Sequence, residues 1–375
     1  MKFTVSNSDL LVRLQSAQRV ISSRNPLPIL DNFLFTLKDG RLQITASDME
    51  SSLQTSLPIE NIEEEGEITV PAKLLADSLR EFPDIPLEFK TNSENSSLEI
   101  VWANGNSTLP CTLGEEYPQP TAISSDSASF SVDAQILLEG INRTLYATAD
   151  DELRPVLNGI FFDIEEEKVT MVATDAHKLV CYTRNDISSN KSSSFILPKK
   201  PSAILKSLLP KIEGELTITF DESNAHFQFD SYLLSCRLVE GNYPAYRSVI
   251  PKENNNKLTI NRQDLLNSLR RVAIYSNQAS NLVKLELSEN HLTLSAQDID
   301  FSISSNERVN CQYDGEPMVI GFKSTFLIDI LTNLPFTDLS FELSDPSRAA
   351  LLLPAEKGDS SEEILALIIP LMIGA

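Results

Sequence analysis

The 375-residue sequence is poor in the side chains that most often carry chemistry, with three histidines, one tryptophan and four cysteines. None of His177, His226 and His291 stands in an HxH or HExxH setting, which argues against a zinc hydrolase. No Gly-rich phosphate loop occurs, so no nucleotide site is visible. Cys111, Cys181, Cys236 and Cys311 lie far apart without a CxxC pair, as expected of reduced structural thiols rather than disulfides or a zinc site. The opening MKFTVSNSD reaches polar residues by Ser6 and lacks the apolar stretch of a signal peptide, so the expected location is cytoplasmic. No apolar run approaches the ~20 residues that span a bilayer. The longest, Ile364 to Ala375, contains Pro370 and reads as a buried final strand.

What the sequence does contain is repetition. ITASDME (from Ile44), VATDAH (from Val172) and LSAQDID (from Leu294) share a β-prone lead-in that ends at Asp48, Asp175 and Asp298. ITVPAKLLADSLREFP, FILPKKPSAILKSLLP and MVIGFKSTFLIDILTNLP keep the same period, each a β-branched run, a helical pattern and a proline stop. KFTVSNSDLLVRLQSAQ, SFSVDAQILLEGINRTL and KLTINRQDLLNSLRRVAI form a second set of strand-then-helix units, several with Ser, Asp or Asn near the helix start. Six such units, joined by alternating segments with hairpin turns such as Asp39-Gly40, give an α+β class with more sheet than helix. The polar stretches SSDSASFS and PKENNNK read as linkers, which divides the chain into domains 1–123, 124–252 and 253–375.

Charge is unevenly distributed. The formal net charge is −22, which taken as an average argues against nucleic acid. The six expected helices nevertheless hold 13 Lys or Arg against 7 Asp or Glu, among them Arg13, Arg143, Lys199, Lys200, Lys206 and Arg270. On one helix such a bias is an ordinary solvated face; on all six it suggests a basic, helix-lined surface with acidic sheets facing outward. A surface of that kind holds backbone phosphate without reading sequence.

Asp175 and His177 in VATDAHKLV invite a catalytic reading, as in a hydrolase or metal-dependent nuclease. The parallel copies carry Glu50 and Asp300 where the histidine stands, so the aspartate reads as architectural and no catalytic residue is assigned. A secreted repeat adhesin is the other class considered, and the basic helices speak against it.

MKFTV, LPIL (from Leu27), LNG (from Leu157), VATDAHKL, LPKK (from Leu197), EGNYPAYRSVIPK (from Glu240) and LIIPLM occur in this order along the whole chain. Together they resemble the bacterial DNA polymerase III beta subunit, the sliding clamp family. The resemblance implies a DNA-clamp fold of three repeated domains, each with two strand-helix-strands units, closed head to tail as a homodimeric ring with helices inside and sheets outside. It further implies a non-catalytic processivity factor without cofactor or metal that encircles duplex DNA. Its expected partners are the DNA polymerase III catalytic subunit, the clamp loader and other polymerases and repair proteins, engaged through short peptides.

By the same resemblance Arg24 and Lys199 face DNA, and Arg154 does so in the loop ADDELRPV. The peptide groove falls on Leu157, Thr174, Ala176, His177, Lys178, Leu179, Pro244, Val249, Leu367, Ile369, Pro370, Leu371 and Met372. His177 and Lys178 are expected to orient peptide polar groups. Ile274 and Tyr275 are expected at the dimer seam, against the region of Leu109 in the other subunit. Ala176 replaces a common glycine of the family, Lys178 a common arginine, and Ser248 an arginine of some members.

Overall fold

The computed structural model describes residues 1–92, 96–189, 191–356, 358 and 361–373, so the terminal Gly374-Ala375 lies outside the described residues. Among the described residues there are six α-helices: α1 (Asn7–Ala17), α2 (Ala72–Arg80), α3 (Ala134–Thr144), α4 (Lys199–Leu208), α5 (Arg262–Ala273) and α6 (Ser324–Asn333). Each follows a strand, as the six sequence units anticipate. None of these helices is long and apolar enough to cross a membrane.

Capping and burial explain the helices. Ser6, in extended conformation, accepts the Asp9 amide at the start of α1, and Leu10, Leu14 and Ala17 bury one stripe. Asn261 caps α5 by accepting the amides of Gln263 and Asp264, both at 3.1 Å. Asp264 in its first turn and Arg270 and Arg271 in its last complement the helix dipole.

By contact the chain divides into two units, Met1–Gln135 with Ala203–Leu238 and Ile136–Ser202 with Val239–Ala375. The first holds a five-stranded antiparallel sheet ordered Asn61–Glu64, Lys2–Ser6, Pro86–Asn92, Ser97–Trp102, Gly105–Pro110. Its nine-stranded sheet runs from Thr112–Leu113 through Gly66–Pro71, Asn32–Lys38, Arg41–Ser47 and Ser51–Pro58. It continues through Tyr232–Arg237, Asn224–Phe229, Glu215–Phe220 and Ala128–Asp133. The join between repeats is antiparallel, with Leu234 opposite Leu53.

The second unit repeats the plan. Lys178–Arg184, from the central repeat, pairs antiparallel with Glu362–Ile368, from the last, with Val180 opposite Ala366. The central repeat is thus shared between the units because each of its two sheets is hydrogen-bonded into a neighbour. A four-stranded sheet ordered Ile303–Asn310, His291–Asp298, Leu282–Ser288, Met318–Lys323 completes this unit.

Two stretches read as linkers are more structured than expected. Asn254 is buried and donates to the carbonyls of Glu342 and Ala349, and a strand begins at Asn256. A strand likewise begins at Ala128. Polar composition marks turns, but Asn254 and Asn256 satisfy the backbone carbonyls of Glu342, Ala349 and Ser344. The final apolar run also differs from its expected form. The strand ends at Ile368, and beyond it Ile369 and Met372 are 44% and 81% exposed.

Candidate functional site

The three repeated aspartates do the same job. Asp48 Oδ1 accepts the amides of Glu50 and Ser51, Asp175 Oδ1 those of His177 and Lys178, and Asp298 Oδ1 those of Asp300 and Phe301. Each closes the turn after a strand, the Asx-turn chemistry that a short carboxylate allows. In the central copy the turn places Ala176 at φ +74°, a left-handed conformation that costs an L residue about 1 kcal/mol or more.

The second oxygen of Asp175 is also engaged. Lys178 Nζ lies 2.9 Å from Asp175 Oδ2 and 3.5 Å from Asp329 Oδ2 on α6, and 4.6 Å from the centre of the Phe326 ring. Its side chain is only 5% exposed. Lys178, expected to orient peptide polar groups, thus has its buried charge held by partners within the chain. The Thr174 hydroxyl is likewise consumed, donating to the Lys178 carbonyl at 2.7 Å. His177 remains exposed, its ring stacked on Phe326 at 5.4 Å. The Phe326 ring also receives Lys323 Nζ at 4.6 Å. Sequence alone gave no sign of Phe326 or Asp329, which lie on a distant helix.

Of the remaining groove positions, Leu179 and Leu367 face each other across adjacent strands and pack with Val172, Cys181, Tyr246 and Leu351 in one core cluster. Burial pushes the Cys181 thiol up to about 12, so it is an apolar filler rather than a nucleophile. Leu157 is buried, at the end of a short 3-10 turn that starts at Pro155. Pro244, Val249, Ile369 and Met372 are exposed, and Pro370 and Leu371 half-buried. Two backbone bonds pin the tail: the Ile369 amide donates to the His177 carbonyl at 2.9 Å and the Leu371 amide to the Gly321 carbonyl at 2.8 Å. A Cβ at Gly321 would stand 2.9 Å from the Leu371 carbonyl oxygen, so the close approach needs glycine. The tail thus presents exposed Ile369 and Met372 on a backbone held at two points. A cavity of about 1160 Å³, lined in part by Lys168, Cys181, Tyr246, Arg247, Lys257 and Glu342, includes none of the expected groove residues. Arg247 and Lys257 there are already paired, with Asp163 and Glu165 and with Glu342.

The basic residues fall into two groups. Arg24, Lys206 and Arg270 are exposed, Arg270 reaching Thr332 Oγ1 at 3.2 Å. Lys200 is half-exposed at the start of α4. Lys199 donates to Asp150 at 2.7 Å and Arg154 to Asp151 at 2.8 Å. Arg13 and Arg143, by contrast, are largely covered. Arg13 bonds Ser231 Oγ at 2.6 Å and lies over Tyr232; Arg143 pairs with Glu139 and donates to the Asn333 carbonyl at 2.9 Å. Arg262 similarly donates to the carbonyls of Leu331 and Phe336. Part of the helix charge surplus thus ties elements together rather than waiting for phosphate.

At the expected seam, Ile274 and Tyr275 are exposed, whereas Leu109 is buried in its own sheet. The pattern missed Ile299, Phe301 and Ile303, which are 78%, 69% and 38% exposed around the turn after Asp298. The signal was there: the positions one, three and five after the aspartate are all large and apolar here, whereas the first copy has Ser51 and the second Lys178 at the middle one.

Three repeats of paired strand-helix units, with sheets running from one repeat into the next, define the DNA-clamp class of α+β proteins. Family models cover the chain in order: the N-terminal domain of the DNA polymerase III beta subunit matches residues 1–121, the central domain 131–245 and the C-terminal domain 247–368. The beta sliding clamp of Haemophilus influenzae is 30% identical over 363 residues, covering 97% of this chain and 98% of that protein. A sliding clamp from Bartonella birtlesii, solved bound to griselimycin, is 32% identical with a TM-score of 0.93 and full coverage of both chains. One from Pseudomonas aeruginosa, solved with ligand, is 27% identical with a TM-score of 0.94, again over both full chains. The chain belongs to the DNA polymerase III beta subunit family, and its role is that of a DNA sliding clamp.

Proposed function

We propose that two copies of this chain close head to tail into a ring around duplex DNA and tether polymerases to it by topology rather than affinity. One observation carries the reading. In the first two repeats, the strand after the aspartate turn pairs with the last strand of the next repeat: Ser51–Pro58 with Tyr232–Arg237, and Lys178–Arg184 with Glu362–Ile368. The third such strand, Ile303–Asn310, has a strand partner on one side only among the described residues, and so does Gly105–Pro110, the last strand of the first repeat before the two-residue Thr112–Leu113. Applied once more, the same rule pairs Ile303–Asn310 of one copy with Gly105–Pro110 of another. Exposed Ile274, Tyr275, Ile299, Phe301 and Ile303 supply apolar surface beside that edge.

On this reading the domains are 1–123, 124–252 and 253–375, and the DNA-facing cations are led by Arg24, Arg154, Lys199, Lys200, Lys206 and Arg270. Partner peptides from the polymerase, the clamp loader and repair proteins lie on the surface formed by Leu157, Pro244, Val249 and the tail Ile369 to Met372. The action is non-catalytic: both oxygens of Asp175 serve the turn and Lys178, and His177 stacks on Phe326, so the two do not form an acid–base pair. Light scattering should give a mass near twice 41.6 kDa. Protein loaded on circular DNA should stay bound in moderate salt and be released when the circle is linearised. A stable monomer, or equal retention on both DNA forms, would refute the ring.

A further inference from the structure

We propose that Asp150 and Asp151 are built-in counterions that compete with DNA phosphate for Lys199 and Arg154, so that this part of the DNA-facing surface binds weakly and with little dependence on salt. The inference rests on the reading of Lys199 and Arg154 as DNA-facing.

The contacts are specific. Lys199 Nζ lies 2.7 Å from Asp150 Oδ1, and Arg154 Nε 2.8 Å from Asp151 Oδ2. One residue sets both pairs. Asn158 accepts the Asp151 amide through Oδ1 and donates through Nδ2 to the Asp151 carbonyl, each at 2.9 Å, while its own carbonyl accepts the Lys199 amide at 3.2 Å. Loop and helix start are therefore held in one arrangement, with carboxylate and cation already in register. Asp151 also accepts the amides of Leu153 and Arg154, and its carboxyl is held below the ordinary range chiefly by Arg154, so it stays charged. The Asp150 side chain is 87% exposed, which lets a phosphate take its place without uncovering buried charge.

The local sum explains the consequence. Asp150, Asp151 and Glu152 offset Arg154, Lys199 and Lys200 one for one. A free cation meeting phosphate releases condensed ions, which steepens the fall of log K with log salt by about 0.9 per contact. A cation that must first leave a carboxylate sets free an anion beside the DNA, and that anion takes up a salt cation in turn. The two ion exchanges oppose each other, so both affinity and salt slope are reduced.

The test is binding of the full-length protein to a short fluorescent duplex, followed by anisotropy across a sodium chloride series. Asp150→Asn and Asp151→Asn each remove a charge and keep an acceptor oxygen for the loop. Each should raise affinity roughly three- to tenfold at low salt and steepen the salt slope by about one. Glu152→Gln removes the same charge from an exposed loop position that, among the described residues, bonds neither Lys199 nor Arg154, and should do clearly less. Equal effects from all three would overturn the proposal in favour of diffuse charge. No effect of Asp150→Asn and Asp151→Asn, while Lys199→Ala weakens binding, would overturn it and leave the DNA-facing reading in place. No effect of Lys199→Ala would remove that reading and the proposal together.

Discussion

Asp175 Oδ2 and Lys178 Nζ lie 2.9 Å apart, three residues from each other, in a turn that Asp175 Oδ1 holds closed by accepting two backbone amides. The carboxylate therefore has a structural and an electrostatic duty, and the first is shared with Asp48. Asp175→Ala should cost about 3 kcal/mol, because it leaves the Lys178 ammonium buried with the longer contact to Asp329 and the face of the Phe326 ring. Asp48→Ala, which frees the amides of Glu50 and Ser51 and the Ser22 hydroxyl, should cost about 1 kcal/mol. Urea unfolding of both variants measures the difference. Similar losses would mean that the ion pair adds nothing beyond the turn.

Ala176 follows in the same turn at φ +74°. Ala176→Gly should stabilise the protein by roughly 1 kcal/mol, the relief of left-handed strain outweighing the added freedom of the unfolded chain. The same urea measurement applies, and a loss of stability would show that the alanine methyl makes a contact worth more than the strain.

Legibility in the sequence followed the range of the interaction. All six strand-helix units could be read because their signals are local: a β-branched run, a cap such as Ser6 or Asn261, and a buried stripe such as Leu10, Leu14 and Ala17. The architectural role of Asp48, Asp175 and Asp298 was also legible, since repetition separated it from the histidine that only one copy has. The fate of Lys178 was not, because its second carboxylate is on Asp329, 151 positions away. The same reason hid Arg143, whose carbonyl acceptor belongs to Asn333. Composition could not divide the basic residues into structural and free ones.

The peptide surface can be tested at its most exposed point. Leu371→Ala combined with Met372→Ala should lower affinity for a short apolar partner peptide about tenfold or more while leaving the dimer mass unchanged. The backbone pin at Gly321 survives that change, so the wall stays in place without its side chains. Gly321→Ala makes the complementary perturbation, since its Cβ would meet Leu282 Cδ1 at 2.8 Å and the Leu371 carbonyl at 2.9 Å. It should weaken the same peptide by displacing the tail. Unchanged affinity in both variants would move the binding surface elsewhere.

Acid should loosen the edge strand that the proposed ring uses. Glu307, on the strand Ile303–Asn310, is held down to about 2 by hydrogen bonds from Arg271 and Ser268 on α5. A carboxyl whose value is lower in the folded state than its ordinary 4.5 contributes stability that is full above about 4.5 and lost as the pH falls toward 2. Urea unfolding of the wild type and of Glu307→Gln should thus differ by a constant amount from neutrality down to about pH 5, with the gap closing below it. Because Arg271 is 60% exposed, the gap should also narrow in high salt. A gap indifferent to both pH and salt would assign the contact between α5 and the edge strand to packing instead of charge.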